Sequence, residues 1–463
     1  MKISMDVFKE NRNRLCDRLS NNPEVPRGAI VLLQGGESET RYCSDHEPLF
    51  RQESYFHWLF GVEEPDFYGA IEVDSRKTIL FPPKLPDSYA VWMGRLLSAE
   101  DFRHRYDVDE VYFADSIKDI LTGRTPSVLL TLYGKNTDSG KYSKEAVFPG
   151  IGSFNLNNTI LHPEISECRV FKSDKELEIL RYVNKISSDA HKANLTYFAC
   201  SAFSIFKNYC QFMGGMRAMS YTCICARHEE GSMIVITPFI KVVMVLKTGN
   251  NSMELQEFVT SNGKFTPEQR QVYQAVYDAS RAVLAACRAG VSWMDMHKLA
   301  EKVELEALKT MGLVQGNVDA MMEARLGAVF MPHGLGHFMG IDTHDVGGYP
   351  EVTERPTEAG LRSLRTVRIL QPRMVITVEP GLYFIDTLLD AALQNPVQSQ
   401  FLVREVIDRF RGVGGVRIED DIVVNEEGIE LLTCVPRTVE EIEKVMADAK
   451  KSHGSLPQFT SKQ

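Results

Sequence analysis

The last third of this 463-residue chain sets histidines and acids beside glycines and short β-branched runs. Acids inside apolar strands are costly to bury unless cations or hydrogen-bond donors compensate them. The pattern therefore predicts strand ends that hold charged side chains around a cleft. It runs through MPHGLGHF (331–338), DTHDVGG (342–348), VITVEPG (375–381) and GGVRIEDD (414–421), with the candidate residues His333, His337, His344, Glu379 and Glu419.

The two candidate glutamates lie on strands whose side chains alternate between faces. Glu379 should share a face with Thr377, at a strand end just before Pro380 and Gly381. Glu419 opens three successive acids inside VRIEDDIVV, so Glu419 and Asp421 should share one face and Asp420 the other. A metal ion is the simplest compensation for Glu419. The alternatives are edge strands that leave either glutamate in water.

His333 and His337 are four residues apart, which on a helix would place both rings on one face. Gly334 and Gly336 lie between them and disfavour a helix. The segment is therefore predicted to be a loop that leads into a strand. Its histidines are either metal ligands or hydrogen-bonded residues that line a pocket.

One imidazole and two carboxylates form a ligand set that suits Mn²⁺, Co²⁺ or Zn²⁺ better than a cysteine-bound structural zinc. Two such ions a few ångströms apart can hold a hydroxide and polarise a carbonyl group. The predicted chemistry is therefore amide hydrolysis by a metallopeptidase.

Composition excludes several other classes of protein. The net charge is −10 and the sequence pI about 5.7, which argues against nucleic acid as a partner. The amino-terminal residues have no apolar signal stretch, and the run at 233–246 is too broken for a membrane span. Nine scattered cysteines, including Cys223 and Cys225, are expected to be reduced thiols in the cytoplasm.

Periodicity predicts an α+β protein of two domains and a tail. Residues 1–158 alternate apolar strands with helices and form a small α/β domain. Residues 159–449 form the second domain, in which helices pack on a curved sheet. It begins with a helix capped by Ser173 and Glu176, followed by helices near 267–288 and 294–311. The polar segment 450–463 is expected to be a frayed tail.

The motifs together resemble the prolidase (Xaa-Pro dipeptidase) family of the creatinase/aminopeptidase P superfamily, whose catalytic domain has the pita-bread fold. Besides the four segments above, GLRSLRTVRILQP (360–372), FRQESYFHWLFGVEEPDFYGAIEVD (50–74) and LHPEISECRVFKSDKELEILRYVNKISSDAH (161–191) are similar to family sequences. The likeness covers most of the chain. Aminopeptidase P and methionine aminopeptidase would share the metal set, but the first domain and the DTHDVGGYPE and RSLRT stretches argue against both.

The resemblance implies a cytosolic homodimer with two Mn²⁺ per subunit that cleaves dipeptides ending in proline or hydroxyproline. It implies that His337, Glu379 and Glu419 are metal ligands, with Glu419 bridging the ions. His333 and His344 would stabilise the tetrahedral intermediate or orient the peptide. Arg365 would pair with the terminal carboxylate of the substrate, and Arg417 would be a further active-site arginine.

The family pattern breaks where two aspartate ligands are expected. No aspartate occurs between Asp189 and Asp278. Residues 194–207 and 237–261 are both unlike the family, and the second stretch stands where the ligand-bearing hairpin belongs. The sequence therefore predicts a damaged central hairpin, at most one bound ion, and glutamates 379 and 419 that face each other with too little compensating charge.

Three explanations of this break stay open. The two stretches are artefacts of a misassigned reading frame or exon boundary in an ordinary dipeptidase. Alternatively, the chain is an inactive pita-bread protein that binds a peptide or a partner. In the third explanation, Glu254 and Glu257 replace the aspartates, although two-metal sites tolerate little misplacement of their ligands.

Overall fold

The computed structural model describes residues 3–196, 202–217, 219, 226–227, 234–235, 263–350 and 353–452. Its contacts divide the chain into two compact units, with the division between Phe171 and Lys172. The predicted hairpin damage at 237–261 lies outside the described residues, as do Cys223, Cys225, Glu254 and Glu257. Among the described helices, none is both long and apolar enough to cross a membrane.

The first unit mixes short helices with short strands, as its alternating pattern predicts. Its α-helices are α1 (Asp6–Asn21), α2 (Ser54–Phe60), α3 (Ala90–Met93), α4 (Ala99–Tyr106), α5 (Ile117–Arg124) and α6 (Leu161–Val170). Its strands are β1 (Ala29–Gln34), β2 (Tyr68–Glu72), β3 (Thr78–Phe81), β4 (Glu110–Val111), β5 (Val128–Thr131) and β6 (Leu156–Asn157).

These described strands form one mixed sheet in the order β4-β3-β2-β1-β5-β6. The predicted hairpin is present, because β2 and β3 pair antiparallel with Tyr68 opposite Phe81. β1 pairs antiparallel with β2 and parallel with β5. All six β1 residues are buried, which is what a continuous apolar run in a central strand predicts.

The second unit begins with long helices and continues with short strands. Its α-helices are α7 (Asp174–Thr196), α8 (Ala202–Asn208), α9 (Pro267–Ala286), α10 (Trp293–Thr310), α11 (Val318–Glu323), α12 (Gly327–Phe330), α13 (Asp386–Gln394), α14 (Arg404–Phe410) and α15 (Val439–Ser452). Its strands are β7 (Ala226–Arg227), β8 (Ile234–Val235), β9 (Val375–Val378), β10 (Gly381–Tyr383), β11 (Gly415–Arg417), β12 (Asp420–Val424) and β13 (Ile429–Leu431).

The start of α7 shows the predicted capping box. The Ser173 backbone N–H donates to Glu176 Oε2 at 2.8 Å, and the Glu176 N–H donates to Ser173 Oγ at 3.2 Å. Thr266 and Gln269 form the same arrangement at the start of α9. Each box satisfies backbone donors that a helix start otherwise leaves unpaired, so each marks a sharp boundary.

Two small antiparallel sheets accompany these helices. In the described part of the unit, β12 pairs with both β9 and β13, and β10 pairs with β11. The apolar sides of α9 and α10 pack with Leu382 and Val416 from β10 and β11 in one buried core. Helices packed on antiparallel strands make this unit α+β, as predicted, and leave the ends of β9, β10, β11 and β12 close together.

Candidate metal centre

Three of the predicted ligands converge in the second unit. One ligand atom from each of His337, Glu379 and Glu419 lies within 4.8 Å of the other two, and all three residues are buried. Among the described residues, no second group of three such side chains comes this close. Burying two carboxylates beside an imidazole is unfavourable without added positive charge, so the arrangement favours a cation.

His337 is oriented by the backbone that follows it. Its Nδ1 lies 2.8 Å from the Phe338 carbonyl oxygen, which can only accept, so Nδ1 carries the proton. Nε2 then presents its lone pair and lies 3.6 Å from Glu379 Oε1. A ring held in this tautomer by its other nitrogen is the usual state of a metal-binding histidine.

The loop segment 335–338 runs alongside β9. Thr377 N donates to the His337 carbonyl at 3.0 Å, and Glu379 N donates to the Leu335 carbonyl at 2.7 Å. Phe338 also forms an antiparallel bridge with Ile376. The segment is a loop, as predicted, but it leads into an isolated bridge at Phe338 and not into a strand. Its backbone hydrogen bonds to β9 explain how His337 reaches Glu379.

Thr377 links these two ligands directly. Its hydroxyl accepts from the His337 backbone N–H at 3.0 Å and donates to Glu379 Oε1 at 3.0 Å. Thr377 and Glu379 therefore share one face of the strand, as the alternation predicts. The sequence pattern gave no reason to assign Thr377 a role, although its place two residues before Glu379 was the available signal.

The register of β12 separates its acids. Asp420 lies opposite Val378, and its Oδ2 accepts from Arg281 at 2.7 Å and from Ser280 at 3.2 Å on α9. Arg437 also pairs with Asp420. Glu419 belongs instead to the ligand group, so its side chain and that of Asp420 have different partners, as alternation requires.

Arg417 supplies positive charge to the two glutamates. Its Nη1 donates to Glu379 Oε2 at 2.9 Å, and its Nε donates to Tyr383 Oη at 2.6 Å. Although burial opposes the charge, Tyr383, Glu379 and Glu419 together raise the pKa of the Arg417 guanidinium. Arg417 therefore places one buried positive charge beside Glu379, and the expectation that the two glutamates together have too little compensating charge stays a prediction.

Tyr383 is a site residue that the sequence reading missed. Burial raises the pKa of its hydroxyl, which therefore remains a neutral partner for Arg417. The pairing of β10 with β11 sets Gly381 opposite Arg417 and Tyr383 opposite Gly415. The sequence did place Tyr383 two residues after the Glu379-Pro380-Gly381 turn. Only the register between β10 and β11 shows that Tyr383 reaches Arg417.

His333 and His344 approach this group from different sides. The His333 ring meets Tyr383 edge-on with 5.4 Å between ring centroids, and the His344 ring meets His337 edge-on at 4.5 Å. His333 Nδ1 lies 2.9 Å from the Gly334 carbonyl, so Nε2 is the unprotonated nitrogen. Burial, with Arg417 and His297 nearby, lowers the pKa of His333 well below its ordinary value.

Arg365 follows the 3₁₀ turn Leu361–Ser363 and is half-buried. A Cβ at Gly348 would overlap its backbone carbonyl, so Arg365 packs against the segment 342–348 that carries His344. The structure thus brings six of the seven predicted residues into one group of contacts and places Arg365 beside the loop of one of them.

The donor set fits a divalent cation. His337 offers Nε2, while Glu379 and Glu419 offer carboxylate oxygens, and hard oxygen ligands with one imidazole are typical of Mn²⁺, Co²⁺ or Zn²⁺. The carbonyl on Nδ1 and the donors on Glu379 hold these ligands from behind. Such outer contacts are what a metal site needs in order to keep its ligands oriented.

Comparison with known proteins gives two family matches. Residues 8–128 match the family described as Aminopeptidase P, N-terminal domain, and residues 178–426 match Metallopeptidase family M24. The Xaa-Pro dipeptidase of Homo sapiens is 55% identical over 472 residues, covering 98% of this chain and 95% of that protein. The Xaa-Pro dipeptidase of Mus musculus is 52% identical with the same coverage.

A solved structure shows the same fold. Pseudomonas aeruginosa aminopeptidase PepP superposes with a TM-score of 0.74 at 24% sequence identity, covering 97% of this chain and 99% of that one. The similarity includes both units and supports the two-domain architecture.

Proposed function

Because the chain belongs to the M24 metallopeptidase family, we propose that it is a metal-dependent Xaa-Pro dipeptidase, acting on dipeptides that end in proline or hydroxyproline. The observation that carries the proposal is the buried group of His337, Glu379 and Glu419 in a chain that matches mammalian Xaa-Pro dipeptidases almost from end to end.

In this proposal the bound metal supplies Lewis acidity toward the peptide carbonyl and a water of lowered pKa. His337, Glu379 and Glu419 hold it. Arg417 holds Glu379 in place by donating a hydrogen bond to its Oε2. His333, neutral with a free lone pair on Nε2, accepts a hydrogen bond and so orients the peptide rather than donating to an oxyanion. His344 lines the same space beside His337.

Arg365 is proposed to bind the terminal carboxylate of the dipeptide. A guanidinium can donate two parallel hydrogen bonds to a carboxylate, and this geometry selects for a substrate that ends at the proline. The Arg365→Lys variant should therefore raise KM for a dipeptide while leaving metal affinity unchanged.

We propose Mn²⁺ as the working metal, a homodimer as the assembly and the cytoplasm as the location. The described residues provide three ligands, enough for one ion per subunit. What supports these finer assignments is the resemblance to the prolidase family, which covers most of the chain.

The decisive experiment measures hydrolysis of Gly-Pro by the full chain with added Mn²⁺, together with the number of ions per subunit. Turnover that disappears in Glu419→Gln is expected for a dipeptidase. Absence of turnover in the metal-loaded wild-type protein would overturn the proposal. Two ions per subunit would show that residues outside the described part supply further ligands.

A second candidate is a pita-bread protein that binds peptides without hydrolysing them. It is favoured by one observation, the lack of any aspartate between Asp189 and Asp278. Calorimetry separates the two candidates, because a binder would take up Gly-Pro at Arg365 and release it intact. Loss of binding in Arg365→Ala, with no proline formed by the wild type, would support this candidate.

A further inference from the structure

A buried ion pair lies outside the group of predicted site residues. Lys172 Nζ is 3.0 Å from Asp345 Oδ2, and the side chains are only 3% and 1% exposed. The two residues are 173 positions apart in sequence and belong to the same unit. Burying two opposite charges gives little net stability on average, so a contribution to stability does not by itself account for this pair.

Lys172 itself is held on both sides by Arg373. Its backbone N–H donates to the Arg373 carbonyl at 3.0 Å, and Arg373 Nε donates to the Lys172 carbonyl at 2.6 Å. Lys172 also directly precedes Ser173, the cap of α7. The ammonium group therefore projects from a backbone that is anchored to the start of a long helix and to the turn before β9.

Asp345 closes the loop that follows His337. Its backbone N–H donates to the Phe338 carbonyl at 2.9 Å, the same oxygen that accepts from His337 Nδ1. His344, one residue earlier, packs edge-on against the His337 ring. The loop 338–345 thus sets the tautomer of one predicted ligand and the position of a predicted catalytic histidine.

Gly340 shows how tightly this arrangement is packed. A Cβ at that position would overlap Asp345 Oδ2 and would come within 2.9 Å of Lys172 Nζ. The loop passes directly over the ion pair, and only a residue without a side chain fits there. The Asp345 carboxylate and the Lys172 ammonium group are therefore enclosed by the loop 338–345.

From these contacts we infer that Lys172 is a positioning residue of the metal centre, acting through Asp345 and the Phe338 carbonyl on His337 and His344. The inference rests on the proposed metal site but not on peptide hydrolysis. Lys172 touches neither substrate nor metal. Its effect is to keep the loop closed, so that Nε2 of His337 faces the two glutamates.

The test uses the full chain and three variants, Lys172→Met, Asp345→Asn and the two combined. Lys172→Met keeps the length of the stem and removes the charge. The double variant removes both charges, so it does not leave one buried charge without its partner. The control is Arg325→Met combined with Glu301→Gln, which removes a partly buried ion pair of the same unit.

The first readout is nuclear magnetic resonance of the histidine rings in the metal-free protein, with His337→Gln to assign the signal. Wild type and control should show His337 as one tautomer protonated at Nδ1. Lys172→Met and the double variant should show a mixture of tautomers. The second readout is titration with Co²⁺ alone. Loss of a contact that orients a ligand from behind should weaken Co²⁺ affinity roughly 10–100-fold.

A purely structural role would give another result. If the double variant regains thermal stability and also shows the wild-type tautomer and Co²⁺ affinity, the inference is overturned. If it regains stability while both readouts stay altered, the inference holds. Wild-type protein that binds Co²⁺ but never cleaves Gly-Pro would count against the dipeptidase and leave this inference intact. If the wild type binds no Co²⁺, the ring tautomer alone decides.

Discussion

Glu304 is a buried carboxyl group on α10, only 2% exposed, near the backbone N–H of Gly381. Burial, reinforced by the nearby Glu301, raises its pKa well above the ordinary value of 4.5. Glu301 is itself paired with Arg325 at 2.7 Å. Burial therefore favours the protonated form of Glu304, which lies beside the first residue of β10.

We predict that Glu304→Gln stabilises the protein in a pH-dependent way. The unfolded state releases the Glu304 proton above about pH 4.5 while the folded state keeps it, so the wild type loses stability as pH rises. The amide has the same shape and no charge. At pH 8 the variant should be more stable than the wild type, and the difference should shrink as pH falls toward 4.

Urea denaturation at both pH values measures this difference. The control is Gln398→Glu, which adds a carboxyl group at a position that is only partly buried. Equal stability of wild type and Glu304→Gln at pH 8 would show that Glu304 is ionised in the folded state.

Some residues of the site could be predicted from the sequence and others could not. His337, Glu379 and Glu419 stood out because acids and histidines in or beside apolar strands are costly to bury without a compensating cation or donor. Tyr383 and Thr377 did not, because a tyrosine or threonine in a strand is usually there for packing. Only their hydrogen bonds to Arg417 and Glu379 distinguish them.

At the scale of elements, the site depends on how closely the segment 335–338 pairs with β9. A Cβ at Gly336 would overlap the Thr377 carbonyl oxygen, and the overlapping atom is backbone. Gly336 has no positive φ angle, so the constraint is spatial and not conformational. The pairing that brings His337 to Glu379 is therefore possible only with glycine at this position.

We predict that Gly336→Ala separates the segment from β9 and removes metal binding. Overpacking typically costs 1–3 kcal/mol, and a backbone clash should lie near about 3 kcal/mol. The control is Gly428→Ala, where an added Cβ meets nothing within 4 Å. That variant should stay within about 0.5 kcal/mol of wild type. Thermal melts and Co²⁺ titration measure both effects, and unchanged Co²⁺ affinity in Gly336→Ala would refute the prediction.

Elements were the part of the fold most open to prediction. The cap at Ser173, the apolar spacing after it and the alternation in β2 and β3 are local patterns, and each produced the expected element. The pairing of β10 with β11 was not predictable. The two strands lie 34 residues apart, and their register depends on contacts with the rest of the fold that neither strand's own sequence shows.

At the scale of the whole molecule, each unit contains a buried neutral histidine. Burial lowers the pKa of His57 in the first unit to about 4, and that of His191 in the second to about 3. His57 Nδ1 lies 3.1 Å from the Val62 carbonyl. His191 packs edge-on against Phe206 with 5.0 Å between ring centroids.

We predict that both units lose stability in mild acid. The unfolded histidines take up protons below about pH 6.5 while the folded ones resist, so stability present above pH 6.5 is lost as pH falls toward 3 or 4. Each histidine contributes up to about 3 kcal/mol to the loss at pH 4. Urea denaturation at pH 7.5 and pH 4.5 should show a smaller acid loss in His57→Gln and in His191→Gln. The control is His104→Gln, which removes a histidine whose side chain is 70% exposed.

The sequence by itself determined the helices and strands, the α+β class, the family and the chemical type of the metal ligands, because periodicity, capping and ligand chemistry are local properties of the chain. Only the tertiary structure decided which nitrogen of His337 faces the glutamates, that Arg417 and Tyr383 join them, and that Lys172 closes a loop 173 residues away. Those facts depend on strand register and on long-range packing, which arise only when distant segments meet.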